Sequence, residues 1–122
     1  MITVKKAISG LRRAVRERGK DYCYLAQLKS IAGPDGESCV YFDPNGNPSC
    51  IIGHVFHYNG ITPQDLSIDG FNVRANASNI YSIDVAGGVT PKARELLAKA
   101  QTTQDSGGTW GAALEEALDR AR

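Results

Sequence analysis

Asn47-Pro48-Ser49-Cys50-Ile51-Ile52-Gly53-His54-Val55-Phe56-His57-Tyr58-Asn59-Gly60 holds both histidines of the chain and one of its three cysteines. Read as a helix, at about 100° per residue, it sets Cys50, His54 and His57 on one face. Ile51, Ile52, Val55 and Phe56 then fall on the other. Asn47 followed by Pro48 fits an N-cap and first helical position, and Asn59-Gly60 fits a stop. A chemically rich stripe backed by an apolar one is the pattern of a site. It is equally the pattern of a buried helix with a few satisfied polar groups.

Three other helices are predicted around this one. Thr3 can cap a helix over 3–18, ended by Gly19, with Val4, Ile8, Leu11 and Val15 as its apolar stripe. Thr90-Pro91 opens a helix over 91–105 with Ala93, Leu96, Leu97 and Ala100 on one side. After Gly107-Gly108, Thr109 caps a last helix over 109–121, where Trp110, Ala113, Leu114, Ala117, Leu118 and Ala121 recur at helical spacing. Thr62-Pro63 starts a single further turn. Residues 21–27 and 39–42 are rich in Tyr, Val and Phe and read as two short strands joined through the loop at Ala32-Gly33-Pro34-Asp35-Gly36. Asp43-Pro44-Asn45-Gly46 is a turn. Residues 67–89 have weak periodicity, with a short helix drawn over 75–83. The expected fold is α+β: one mostly helical domain over 1–122, with about four helices covering a minor two-stranded hairpin. Its predicted core is Val4, Ile8, Leu11, Val15, Ile52, Val55, Phe56, Leu96, Leu97, Trp110, Leu114 and Leu118.

Length and composition fit one modest core: 122 residues, 42% hydrophobic and 22% charged. The longest apolar run, Ile51 to Phe56, is far too short to span a bilayer, and no signal-peptide pattern opens the chain. An odd cysteine count with no export signal points to reduced thiols and a cytoplasmic protein. The net charge of +1 hides an asymmetry. Residues 1–20 carry Lys5, Lys6, Arg12, Arg13, Arg16, Arg18 and Lys20 against Glu17 alone, a local +6; the remainder, seven basic and twelve acidic, sums to −5.

Two segments carry a family resemblance: Ser49-Cys50-Ile51-Ile52-Gly53-His54-Val55, and Ala100-Gln101 with Gln104-Asp105-Ser106-Gly107-Gly108-Thr109-Trp110-Gly111-Ala112-Ala113-Leu114. Together they resemble a group of short proteins from actinobacteria and their phages. Those proteins open with a basic amphipathic helix ending near an Arg-Gly. They continue with a Cys-hydrophobic-hydrophobic-Gly-His helix and close with a Gln-Asp-x-Gly-x-x-Trp-Gly helix pair. The resemblance implies a small, mostly helical fold and a phage or actinobacterial accessory role. It implies no settled activity.

Candidate chemistry concentrates at few places. Cys50 with His54, or His54 with His57, could grip a zinc ion, with further ligands drawn from Cys39, Cys23 or Asp43. The chain has no Cys-x-x-Cys and no His-Glu-x-x-His. Cys50 near a helix N-terminus could be a nucleophile, but the histidines share its helix and neither is oriented as a base. The competing reading makes Cys50 a small buried hydrophobe and His54 a hydrogen-bonded core residue. Gly87-Gly88 and Gly107-Gly108 precede helices without matching a nucleotide-binding spacing, and turns and caps explain them. Lys5, Lys6, Arg12, Arg13 and Arg16 form either a merely solvated face or a partner- or anion-binding one. That face could meet phosphate backbone, an acidic protein, or Glu115, Glu116 and Asp119 of the same chain. Trp110 is either core or an interface anchor.

The leading expectation is a non-enzymatic accessory protein that binds and modulates a host protein, without a cofactor and without a membrane. Nucleic-acid binding through the basic helix is the first alternative. A metal- or thiol-dependent enzyme centred on Cys50 and His54 is the second.

Overall fold

The computed structural model describes residues 1–24, 40–43, 45–66 and 88–122. Four α-helices run through them: α1 (Val4–Arg18), α2 (Ile51–Tyr58), α3 (Pro91–Asp105) and α4 (Trp110–Ala121). A 3-10 turn at Pro63–Asp65 follows α2. The helix starts are set by threonine caps. Thr3, Thr90 and Thr109 accept from the backbone N–H of Lys6, Ala93 and Ala112 at 3.3, 3.2 and 3.1 Å. Pro91 takes the first position of α3, where its missing N–H costs nothing.

α3 and α4 pair most extensively, α1 lies against all three other helices, and α2 lies against α1 and α3. The core is a single cluster around Trp110, Tyr41, Phe42, Phe56, Leu11, Ile51, Ile52, Leu96 and Leu97. Small residues let the helices approach. α1 buries Ala7, Gly10, Leu11 and Ala14, while the predicted Val4, Ile8 and Val15 sit at the edge of the contact. A Cβ on Gly10 would come to 3.1 Å of a Val55 methyl. α4 likewise buries Trp110, Ala113 and Ala117 and leaves Leu114 at the rim. No helix of the described residues is long and apolar enough to cross a membrane.

Among the described residues the predicted hairpin is absent, and the fold is mostly helical rather than α+β. Among the described residues there is no strand; the extended backbone makes only isolated bridges, Ile2 with Val89 and Phe42 with Pro48. The Tyr-rich segment after α1 covers α4 instead. Lys20 and Tyr22 accept at their carbonyls from the N–H groups of Gly111 and Trp110, both at 2.9 Å. The rings of Tyr22 and Tyr24 pack on Trp110 at centroid separations of 4.7 and 6.5 Å. Aromatic enrichment there reflects burial against a helix, not a place in a sheet. The other supposed strand folds back on the residues just after it. Ser49 and Cys50 donate to the carbonyls of Tyr41 and Val40, and Asp43 donates to Asn47.

That local return also moves the start of α2. Pro48 is engaged by Phe42, so the helix begins at Ile51 with Cys50 as its cap, not at Pro48 with Asn47. The remainder of the 21–27 strand, the loop at 32–36, Cys39 and the helix drawn over 75–83 lie outside the described residues.

Candidate functional site

The polar stripe of α2 faces inward at its start. Cys50 is buried, and its Sγ accepts from the Gly53 N–H at 3.4 Å, closing the first turn. Gly53 is obligatory: a Cβ there would overlap the Tyr41 carbonyl oxygen that lies on the helix. His54 is 4% exposed. Its Nδ1 sits 2.8 Å from the Cys50 carbonyl oxygen, which can only accept, so Nδ1 carries the proton and Nε2 is the bare nitrogen. The imidazole edge meets the Trp110 ring at 5.0 Å. Burial pushes the His54 pKa below the ordinary histidine value; the Cys50 carbonyl opposes that, and the charge of Arg18 adds to it.

The three predicted site residues of α2 therefore part company. Cys50 and His54 are brought together, but through the Cys50 carbonyl rather than the thiol. His57 is exposed, and among the described residues its ring neighbours only that of Tyr58, tilted at a centroid separation of 6.1 Å. Among the described residues no group of three or more His, Cys, Asp or Glu side chains is placed to hold a metal ion. Cys23 donates to the Gly107 carbonyl at 3.4 Å, away from α2.

Gln104 organises this interior. Its Oε1 accepts from the Ile51 N–H at 2.9 Å and from the Trp110 indole N–H at 3.1 Å. One buried amide thus satisfies the first free donor of α2 and the polar atom of the largest core side chain. Its Nε2 donates to Asp105 at 3.0 Å. Trp110 is fully buried and belongs to the core. Gln104 was legible as a residue of the motif but not as a hub. The available signal was its register: it continues the inward series of Leu97, Ala100 and Gln101 along α3.

Gly107 and Gly108 donate to Gln104 and Thr103 carbonyls, and the first N–H groups of α4 are taken by Tyr22, Lys20 and Thr109. The segment is a capped turn.

The basic face of α1 is arranged differently. Lys5, Lys6, Arg12, Arg13 and Arg16 are all exposed. Arg13 is the one with fixed company: its Nε meets Glu17 Oε1 at 3.2 Å and its guanidinium lies 4.2 Å over the Tyr58 ring. The Tyr58 hydroxyl donates to Glu17 Oε2 at 2.6 Å, and burial pushes its pKa upward, so the phenol keeps its proton. That hydrogen bond, with the Arg13 charge, holds the Glu17 carboxyl below its usual range. Among the described residues Lys5, Lys6, Arg12 and Arg16 make no ion pair.

The acidic residues of α4 do not neutralise this face. Glu116 meets Lys99 at 3.8 Å, Asp119 meets Arg122, and Glu95 on α3 meets Arg120 at 2.7 Å and Lys92 at 3.4 Å. Among the described residues α1 thus presents four exposed cations without an ion pair, while most charges of α3 and α4 pair with one another.

Comparison with protein-family models, with curated proteins and with solved structures finds no match for this chain. The functional reading rests on this geometry and on the resemblance described above.

Proposed function

We propose that this protein is a non-enzymatic accessory protein that binds an acidic partner protein through α1. The observation carrying the proposal is the set of four exposed cations, Lys5, Lys6, Arg12 and Arg16, which make no ion pair among the described residues, while Glu116, Asp119 and Glu95 pair with Lys99, Arg122 and Arg120. A basic surface held open in this way attracts and orients an anionic partner. The resemblance to actinobacterial and phage proteins makes the partner a host protein, met in the cytoplasm, where the free thiols Cys23 and Cys50 stay reduced.

The alternative of nucleic acid fits the charge distribution less well. Duplex DNA carries about one charge per 1.7 Å along its axis. α1 packs on α4, whose exposed Glu115 lines a recess with Val15 of α1 and Lys20, makes no ion pair among the described residues and would repel such a continuous anion. A protein with a compact acidic patch avoids that repulsion. The aromatic rings beside α1 are also occupied, Tyr58 under Arg13 and Tyr22 near Arg18.

The test is capture from an actinobacterial lysate, with and without nuclease, by the native chain and by a variant with Lys5, Lys6, Arg12 and Arg16 all changed to Gln. The proposal expects one nuclease-resistant protein in near-stoichiometric yield that the variant loses. Material that disappears on nuclease treatment would transfer the basic face to nucleic acid. A partner retained equally by the variant would refute the assignment to α1.

A further inference from the structure

The basic face is not uniform. Between α1 and the C-terminal end of α2 lies a recess of about 390 Å³, lined by Thr3, Lys5, Lys6, Ser9, Gly10 and Arg13. Tyr58 and Asn59 form its far wall, and among the described residues no acidic side chain lines it. Arg12 and Arg16 stand outside it.

Its donors are prepared to different degrees. Arg13 is stacked on Tyr58 and held at Nε by Glu17, so the planar fork is fixed and its terminal N–H groups are left to bind. Thr3 Oγ1 accepts from the Lys6 N–H, which leaves the hydroxyl hydrogen to donate. Lys5, Lys6 and Ser9 have no hydrogen-bonded partner among the described residues. Three cations, less the one countered by Glu17, leave a charge of +2 around the recess. A phosphoryl group carries about −1.5 to −2 near neutral pH and three strong acceptors, whereas a carboxylate brings half that charge. The volume leaves room for the side chain that carries the group.

Resting on the reading of α1 as the partner face, we propose that this recess takes the phosphoryl group of a phosphorylated side chain on the acidic partner. Lys5, Lys6 and Arg13 neutralise it and Ser9 donates to it.

Titration calorimetry with the full chain tests the assignment. The probes are a short acidic peptide containing one serine, the same peptide phosphorylated on that serine, and inorganic phosphate. The phosphopeptide should bind about tenfold more tightly than its parent, the worth of one added charge-assisted hydrogen bond. Lys5→Gln and Lys6→Gln, both on exposed side chains, should abolish that ratio. Arg16→Gln should weaken both peptides alike and preserve it. Equal affinity for the two peptides, or a ratio untouched by Lys5→Gln and Lys6→Gln, would overturn the recess assignment while leaving α1 as an acidic-partner face. Inorganic phosphate binding as tightly as the phosphopeptide would overturn the assignment to a partner-borne group. Failure of both peptides to bind would overturn the α1 reading itself, and this inference with it.

Discussion

α1 packs directly on α2, yet the two helices treat their polar side chains in opposite ways. On α2 the sulfur of Cys50 and the imidazole of His54 are buried and engaged, and Gln104 supplies the acceptor for the helix's first N–H. On α1 four cations stand exposed, with no ion pair among the described residues. Chemically distinctive residues can be spent on holding a fold together, whereas charge left unneutralised on an ordered surface contributes nothing to the fold. The helix with the richest chemistry thus has its Cys50 and His54 built into the packing, and the proposal assigns the partner surface to the plainer basic helix.

The comparison can be broken most severely at Gly53. Gly53→Ala should cost roughly 4 kcal/mol in denaturant unfolding, because its methyl group would displace the Tyr41 carbonyl from α2. A loss under about 1 kcal/mol would show that this contact is loose.

Two glutamines one turn apart on α3 give a sharper contrast. Gln104→Met should cost about 3 kcal/mol, since it strips the acceptor from both the Ile51 N–H and the Trp110 indole. Gln101 is buried as well, but neither polar atom of its amide has a hydrogen-bond partner among the described residues. Gln101→Met should therefore stabilise the protein by about 1 kcal/mol. Equal effects of the two substitutions would dissolve the distinction between a hub and a passenger.

His54 adds a pH dependence. Its folded pKa lies below the ordinary value of 6.5, chiefly through burial. As pH falls below that value, the unfolded chain takes up the proton first, so this contribution to stability is complete above it and declines toward the lower folded pKa. Melting temperatures on either side of the ordinary histidine value should fall with acidification, and His54→Gln should flatten that slope. An unchanged slope would mean that another group dominates.

The smallest effect on stability belongs to α1. Changing Lys5, Lys6, Arg12 and Arg16 to Gln should alter it by under about 0.5 kcal/mol while abolishing partner capture. A large destabilisation would mean that these cations serve the fold after all.

The four helices were legible because local signals agreed: threonine caps, Pro91 at a first position and apolar spacing near the helical period. The strand expectation fails at Tyr22, Tyr24, Tyr41 and Phe42, residue types that also suit a sheet. Those side chains are apolar because they are buried, and only the position of α4 and α2 says against what. The α1 stripe was legible in outline but centred on its larger residues; close approach through Ala7, Gly10 and Ala14 depends on the partner helix. The basic face was fully readable as composition. That α4 leaves it unpaired was not, because salt-bridge partners are a matter of packing. Gln104 was missed as a hub for the same reason: a lone glutamine on an apolar face gives no hint that two donors converge on it.

The most direct test is an amide chemical-shift map of the isotope-labelled protein titrated with its captured partner. The account predicts that the perturbed amides cluster along Lys5 to Arg16 and extend to Tyr58 and Asn59, leaving Cys50, Ile51, His54 and Trp110 largely unmoved. Perturbations centred on Cys50, His54 and Trp110, with α1 silent, would contradict it and make the interior of α2 the functional site.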